Sequence, residues 1–423
     1  MRYLPLSEQN RKDMMAATGA KDMRALYNDV PDSAYNDSLL DLPAHKSEMA
    51  VERIMNGYAN QNISAQNSAF FLGGGVYHHH IPASVDHIIQ RSEFLTAYTP
   101  YQPEIAQGTL QVIYEFQTMI AKLTGQDIAN ASLYDGATAT AESVLMAMRV
   151  TKRSKVVIAN ELHPDYKATL DTYLADDAVV ALDQGDSADI ATLIVQSPDF
   201  FGRPEKYAPW RQKADEIGAL LIIVITEIVS LGMLPTPAEA DIVCGEGQSI
   251  GLPMSFGGPH LGFFACKQAY LRQVPGRLCG RTKDADGKDG YVLTLSTREQ
   301  HIRRDKATSN ICTNQGLCAL AFSAHLSLLG DLGFKQLAQT NHEMACNLAD
   351  ALEAIDGVST ENEFFFNEFV VKLPKPASEV VERLADQHII AGLALDNNRL
   401  LICATEVTTD EDIAELVSAL QGL

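Results

Sequence analysis

Between residues 155 and 266 the chain repeats one pattern that few folds can accommodate. Short, continuous apolar runs of strand length alternate with polar segments long enough for a helix. KVVIAN (155–160), TLIVQ (192–196) and ALLIIVIT (219–226) offer almost no polar face, so a sheet built from them must be covered on both sides. That is the signature of parallel strands joined by βαβ crossovers, whose helices lie on the two faces. HPDYKATLDTYLA reads as one such helix, AVVAL (178–182) as a further strand and GFFAC (262–266) as strand-like. Ahead of the alternation, GTLQVIYEFQTMIAKLTG (108–125) sets Leu110, Ile113, Phe116, Ile120 and Leu123 at helical spacing and stops at Gly125.

The pattern changes at both ends. In the N-terminal stretch Ser7 can cap a short helix that Gly19 stops, and loop-like segments with Asn, Gln and Gly follow. Past about residue 325, FNEFVVKL and NRLLICAT read as strands, and ASEVVERLADQH as a helix. A last helix is opened by Thr408 with Glu411 three residues later, a capping box. The expected organisation is an N-terminal helical and extended segment (1–80), a large α/β domain (81–325) with a mainly parallel sheet, and a smaller α+β domain (326–423).

Charge and composition exclude several function classes. A net charge of −21 argues against nucleic acid, because phosphate backbones need a basic face. The longest uninterrupted apolar run, Ala219–Ile225, is too short to span a bilayer. The opening residues carry acids where a signal peptide would carry its apolar core, so a cytoplasmic location with no membrane partner is expected. Seven cysteines, odd in number and without a CxxC pair, read as thiols rather than a disulfide frame or zinc site.

Several motifs carry chemistry. YHHHIP (77–82) invites a metal reading, but adjacent histidines in an extended segment point to opposite faces, so a polar loop beside a site is the expectation. YDGATATAESVLMAMR (134–149) opens a helix whose first amides favour an anion, with Thr138 among them. His163 and Glu227 follow strands 155–160 and 219–226, at the sheet edge where open α/β folds bind ligands. CGEGQSIGLPMSFGGPH (244–260) is dense in glycine, follows a buried strand, and has neither a lysine nor a serine elbow. TAYTPYQPEIAQGT (96–109) is a rigid stretch suited to lining a substrate space or to packing. TREQHIRRDKATSNICTNQ (297–315) is the one dense basic run in an acidic chain, and it is read as facing an anion rather than as a solvated helix face.

Taken in order, YLPLSEQNRKDMMAATG, TPYQPEIAQG, NASLYDGATATAE, GLPMSFGGPH and REQHIRRDKATSNICTNQ resemble pyridoxal-phosphate enzymes of fold type I. The close likeness is to the N-terminal half of glycine decarboxylase, the P-protein of the glycine cleavage system. In length the chain is similar to subunit 1 (alpha) of the two-subunit bacterial form. In the catalytic half of that family a His-Lys-Thr triplet precedes the Gly-Gly-Pro run, and its lysine carries the cofactor as a Schiff base. The resemblance places Gly247-Gln248-Ser249 at that triplet. Gln248 is an amide and forms no imine. Glu227 stands where fold type I enzymes have the Asp that pairs with the pyridine nitrogen, and a longer acid fits that geometry poorly. Thr138, His163, Glu227 and Gln248 therefore read as a vestigial site with no catalytic residue of its own.

The resemblance then implies an oxidoreductase of glycine catabolism, glycine dehydrogenase (aminomethyl-transferring), inactive alone. A lysine-bearing subunit 2 holds pyridoxal phosphate covalently in an αβ or α2β2 complex, glycine loses CO2, and the aminomethyl group passes to the lipoyl arm of the H-protein. Tyr98, Tyr101, Gln102 and Glu104 would line the substrate space across the interface. Arg303, Arg304, Thr308, Ser309 and Asn310 would reach the partner's cofactor phosphate. Two rivals stand beside this: a self-sufficient enzyme using Lys267 or Lys306, and a non-catalytic scaffold or regulatory homologue.

Overall fold

The computed structural model describes residues 6–36, 38, 40–182, 187–313 and 315–422. The chain divides into two compact units, Met1–Asn62 and Ile63–Leu423. The first unit carries helices α1 (Glu8–Thr18) and α2 (Glu48–Ala59). Ser7 accepts the Asn10 amide in a reciprocal capping box, and Gly19 ends α1 at φ 68. Neither helix has a buried side chain.

The second unit begins with β1 (Ala69–Phe70), then α3 (Ala83–Ile89), the short α4 (Ser92–Leu95) and α5 (Gln107–Thr124). The alternating region follows as β2 (Ile128–Ala129), α6 (Gly136–Thr151), β3 (Lys155–Ile158), α7 (Pro164–Tyr173), β4 (Ile190–Gln196), α8 (Tyr207–Ile217), β5 (Leu220–Ile225), β6 (Ile242–Glu246) and β7 (Gly262–Cys266). A hairpin, β8 (Leu278–Lys283) and β9 (Asp289–Thr294), leads to the four-residue α9 (Gln300–Arg303) and the long α10 (Gly316–Glu353). The C-terminal layer is β10 (Ser359–Thr360), β11 (Glu368–Lys372), α11 (Ala377–Ala385), β12 (Ile389–Ile390), β13 (Leu393–Asp396), β14 (Arg399–Cys403) and α12 (Asp410–Gln421).

The six-stranded sheet has the order β2-β7-β6-β5-β4-β3. β3 to β6 are parallel, while β7 runs antiparallel to β6 and to β2. Successive residues of each strand enter opposite cores. Leu193, Val195, Leu221, Ile223, Val243 and Phe263 pack with α5, α8 and α10. Ile194, Ile222, Val224, Ile242 and Phe264 pack with α6 and α7. The apolar runs are continuous for that reason: neither face of the sheet meets water.

The C-terminal sheet is antiparallel, in the order β10-β11-β14-β13, and packs its own core with the second half of α10, α11 and α12. β1 pairs in parallel with β12, so a strand from just after the N-terminal unit completes this layer.

Two sequence expectations need correction. AVVAL forms one isolated bridge, Val179 to Val156, and no strand. The last helix is capped by Thr409 with Asp412, one residue later than expected, because the Thr408 hydroxyl accepts the Thr405 amide. Helix α10 is long and apolar enough, by length and composition, to cross a membrane, although it holds no unbroken apolar run of that length. It breaks at Gly330 (φ 60) and buries Cys318, Leu320, Phe322, Phe334 and Leu348 within the fold.

Phe116 of α5 meets Phe322 of α10 edge to face at 5.4 Å, both rings fully buried. Phe116→Ala is expected to lower stability by about 3–5 kcal/mol through the lost contacts and the residual cavity. Chemical denaturation of the purified chain reads this as an earlier midpoint; a loss below about 1 kcal/mol would show that the site can collapse around the deletion.

Candidate active site

The carboxyl ends of β3, β5 and β6 gather His163, Glu227 and Gln248, and the first turn of α6, with Thr138, faces the same edge. Parallel pairing of these strands forces the convergence, since all of them end on one side. Each candidate residue is already engaged. The Gln248 side chain is buried and donates its amide to the Leu252 carbonyl at 2.6 Å. Asp135 caps α6 by accepting from the Thr138 amide and hydroxyl, each at 2.7 Å. His163 caps α7, taking the Asp165 amide at Nδ1, so its Nε2–H donates to the Gly74 carbonyl at 2.6 Å.

Glu246, at the end of β6, is a site residue that the sequence reading missed. Its carboxylate accepts the amides of Leu261 at 2.7 Å and of Gly136 and Gln248 at 3.0 Å each. Burial pushes its carboxyl up, while the Leu261 and Gly136 amides pull it down. A charged residue two positions before Gln248 in a buried strand was the available signal.

Glu227 is tied to the histidine cluster. His79 lies between two acids, Nε2 at 3.0 Å from Glu227 and Nδ1 at 2.8 Å from Glu406, with its side chain 1% exposed. Carboxylates only accept, so both ring nitrogens carry protons and the ring is an imidazolium. Burial lowers the affinity of His79 for its proton, but the two acids overcome that and raise its pKa to about 10. Glu406 is partly desolvated, which raises it, yet His79 and the His80 amide bring it down to about 2. Nearby His325 is lowered by burial to about 4, and Glu368, which accepts from Gly74 and Tyr77, is pushed by burial up to about 7. Within YHHHIP, His79 is therefore a buried ion-pair member, while His80 is exposed. Among the described residues no group of three or more His, Cys, Asp and Glu could hold a metal ion.

The outer candidates form a second cluster. Tyr98, Tyr101, Gln102 and Glu104 are exposed, on a loop fixed to the β8–β9 hairpin by Gln107, which bonds Pro103 and both backbone groups of Tyr291. Tyr101 packs against His301 with ring centroids 5.1 Å apart and planes tilted by 57°, which brings the TPYQPE loop onto the basic run. Arg303, Arg304, Lys306 and Asn310 are exposed, with Thr308 and Ser309 half-buried. Arg298 departs from the basic face, turning inward to the Val274 carbonyl.

These pKa values fix a pH dependence. His79 is held more tightly in the folded chain than its ordinary 6.5, so it contributes stability that is complete below pH 6.5 and lost as the pH rises through about 10. Glu406, depressed from 4.5 to about 2, contributes stability above pH 4.5 that disappears as the pH falls through about 2. The denaturation midpoint of His79→Gln should lie below that of the parent chain and fall less between pH 6.5 and 10. Parallel slopes for the two proteins would contradict the assignment of this limb to His79.

What the strand ends hold does not fit pyridoxal phosphate bound in the usual manner: position 248 has no amine and the first amide of α6 is taken. The overall geometry nevertheless has close relatives. The model of the glycine cleavage system P-protein family matches residues 1–420. "Probable glycine dehydrogenase (decarboxylating) subunit 1" of Caulobacter sp. (strain K31) is 54% identical over 443 residues, covering 99% of this chain and 98% of that protein. The protein of the same description from Azorhizobium caulinodans is 54% identical over 444 residues, covering 100% and 99%. A crystal structure of glycine decarboxylase (P-protein) of the glycine cleavage system, in inhibitor-bound form, superposes with a TM-score of 0.92 at 42% identity over the whole of both chains. Burkholderia pseudomallei sphingosine-1-phosphate lyase, at 14% identity, shares the fold with a TM-score of 0.66 over 93% and 94%. The fold is that of type I pyridoxal-phosphate enzymes, and the chain belongs to the glycine cleavage system P-protein family.

Proposed function

We propose that this chain is the lysine-less subunit of a cytoplasmic, two-subunit glycine decarboxylase. A second subunit supplies the lysine and pyridoxal phosphate, and the pair removes CO2 from glycine and hands the aminomethyl group to the oxidised lipoyl arm of the H-protein. Gln248 carries this reading: a member of the family holds a buried, hydrogen-bonded amide at the position that the resemblance gives to the imine-forming lysine. The cofactor, when bound to the partner, supplies the electron sink for decarboxylation. This chain's part is positioning. The Tyr98–Glu104 loop and the 303–310 segment, joined through Tyr101 and His301, offer aromatic walls and cationic and hydroxyl donors to a neighbouring subunit.

The N-terminal unit supports a partner. Its helices expose Met14, Met49, Met55 and Tyr58, each more than half accessible, and no side chain of either helix is buried. Exposed apolar side chains on helices that bury none fit an association surface. A shared active site typically calls for roughly 2,000 Å² or more of interface.

Two outcomes follow. The purified chain is expected to show neither glycine decarboxylation nor glycine–bicarbonate exchange until a lysine-bearing second subunit is added; robust activity from the single chain would falsify the assignment. In the reconstituted complex, Thr308→Ala and Asn310→Ala should each weaken cofactor retention by roughly tenfold, about 1.4 kcal/mol, with assembly intact. Absorbance-monitored cofactor release measures this, and unchanged retention in both variants would return the 303–310 segment to the solvated surface.

A further inference from the structure

The strand ends do more than lack a lysine, because the chain itself fills the space above them. Residues 72–81 run past the strand ends and bend at Gly74 (φ 72) and Gly75 (φ 95). Gly75 lies against the imidazole of His163: a Cβ there would stand 2.9 Å from ring atoms Cδ2 and Nε2. Four backbone groups of the run are tied to side chains, beginning with the Gly74 carbonyl on His163. The Gly74 amide donates to Glu368 at 2.5 Å, the His78 carbonyl accepts from Thr405 at 2.5 Å, and the His80 amide donates to Glu406 at 2.7 Å. Tyr77, fully desolvated, donates to Glu368 at 3.0 Å. His79 then reaches Glu227. On the opposite wall Glu246 occupies the first amide of α6, and Asp135 the third, so an arriving phosphate dianion would meet two carboxylates in place of donors.

We propose that residues 72–81, together with Glu246, are a built-in occupant of the pocket in which this fold class holds pyridoxal phosphate. The glycine backbone lies on His163 where a cofactor ring would stack, the His79 imidazolium sits on the acid that would face a pyridinium, and the Glu246 carboxylate sits at the helix start that would face a phosphate. The first amide of the α6 helix, His163 and Glu227 each find a partner within the chain, while Gln248 Oε1 stays buried without one. Restoring a lysine would therefore leave it closed. This inference concerns what fills the pocket, whereas the proposed function concerns which subunit carries the reaction. Activity in the single chain would sink the latter, whereas label at position 248 and the exchange of the Gly74, His80 and Gly136 amides test the former separately.

The test uses the purified full-length chain and pyridoxal phosphate itself. Parent chain and Gln248→Lys are incubated with excess cofactor, reduced with borohydride and mapped by peptide mass. The expected label is confined to surface lysines in both, with none at position 248. Excess cofactor is also expected to leave the Tm of the parent chain unchanged, since a ligand raises Tm when it binds the native state. Label at position 248, or a rise in Tm, overturns the proposal. Should Gln248→Lys fail to fold, hydrogen exchange on the parent chain decides. The amides of Gly74, His80 and Gly136 are expected to exchange as slowly as those of β5, with or without cofactor. Faster exchange, or protection gained on adding cofactor, overturns the proposal equally.

Discussion

One buried cation holds the parts of the second unit in register. His79 bridges Glu227, which follows β5 of the parallel sheet, and Glu406, which follows β14 of the C-terminal sheet. Three ionisable groups withdrawn from water are costly, and such clusters rarely add net stability over an apolar equivalent. What they enforce is arrangement. Taking away the imidazolium would strand two buried carboxylates, a penalty of about 3–5 kcal/mol, so the strand ends, the 72–81 run and the C-terminal layer are held to one relative placement. Asn341 of α10 joins the same acid at 2.9 Å, adding the long helix to the contact.

The parallel sheet was legible because its physics is written in single residues. A strand covered on both faces must be largely apolar, and the runs at β4 and β5 are, with Thr192 and Gln196 the polar exceptions. AVVAL satisfied the same local rule and formed one bridge, because a run of that kind says nothing about whether a neighbouring strand is within reach. The last helix shows the limit at the scale of one residue. Thr408 and Thr409 are equally good caps in sequence, and the choice was made by the Thr405 amide claiming the first of them.

The candidate site was half legible. Its members at the strand ends follow from the alternation of strands and helices, and Gln248 follows from the likeness to a family that keeps a lysine there. Their present partners did not follow. His79 meets Glu406 across 327 positions and Gly74 meets Glu368 across 294, and nothing local in the sequence reports a pairing at that range. Reading the three histidines by alternation was sound as far as it went. One ring of the three is buried between acids, while His80 contributes its backbone amide.

The bare helices of the first unit have a chemical consequence. Met14, Met49 and Met55 expose their thioethers to solvent, and oxidation turns an exposed thioether into a polar, chiral sulfoxide. Sulfoxides at these three positions would put oxygen on helices that bury no side chain, so oxidation there would change the polarity of the N-terminal unit's surface without disturbing a packed core.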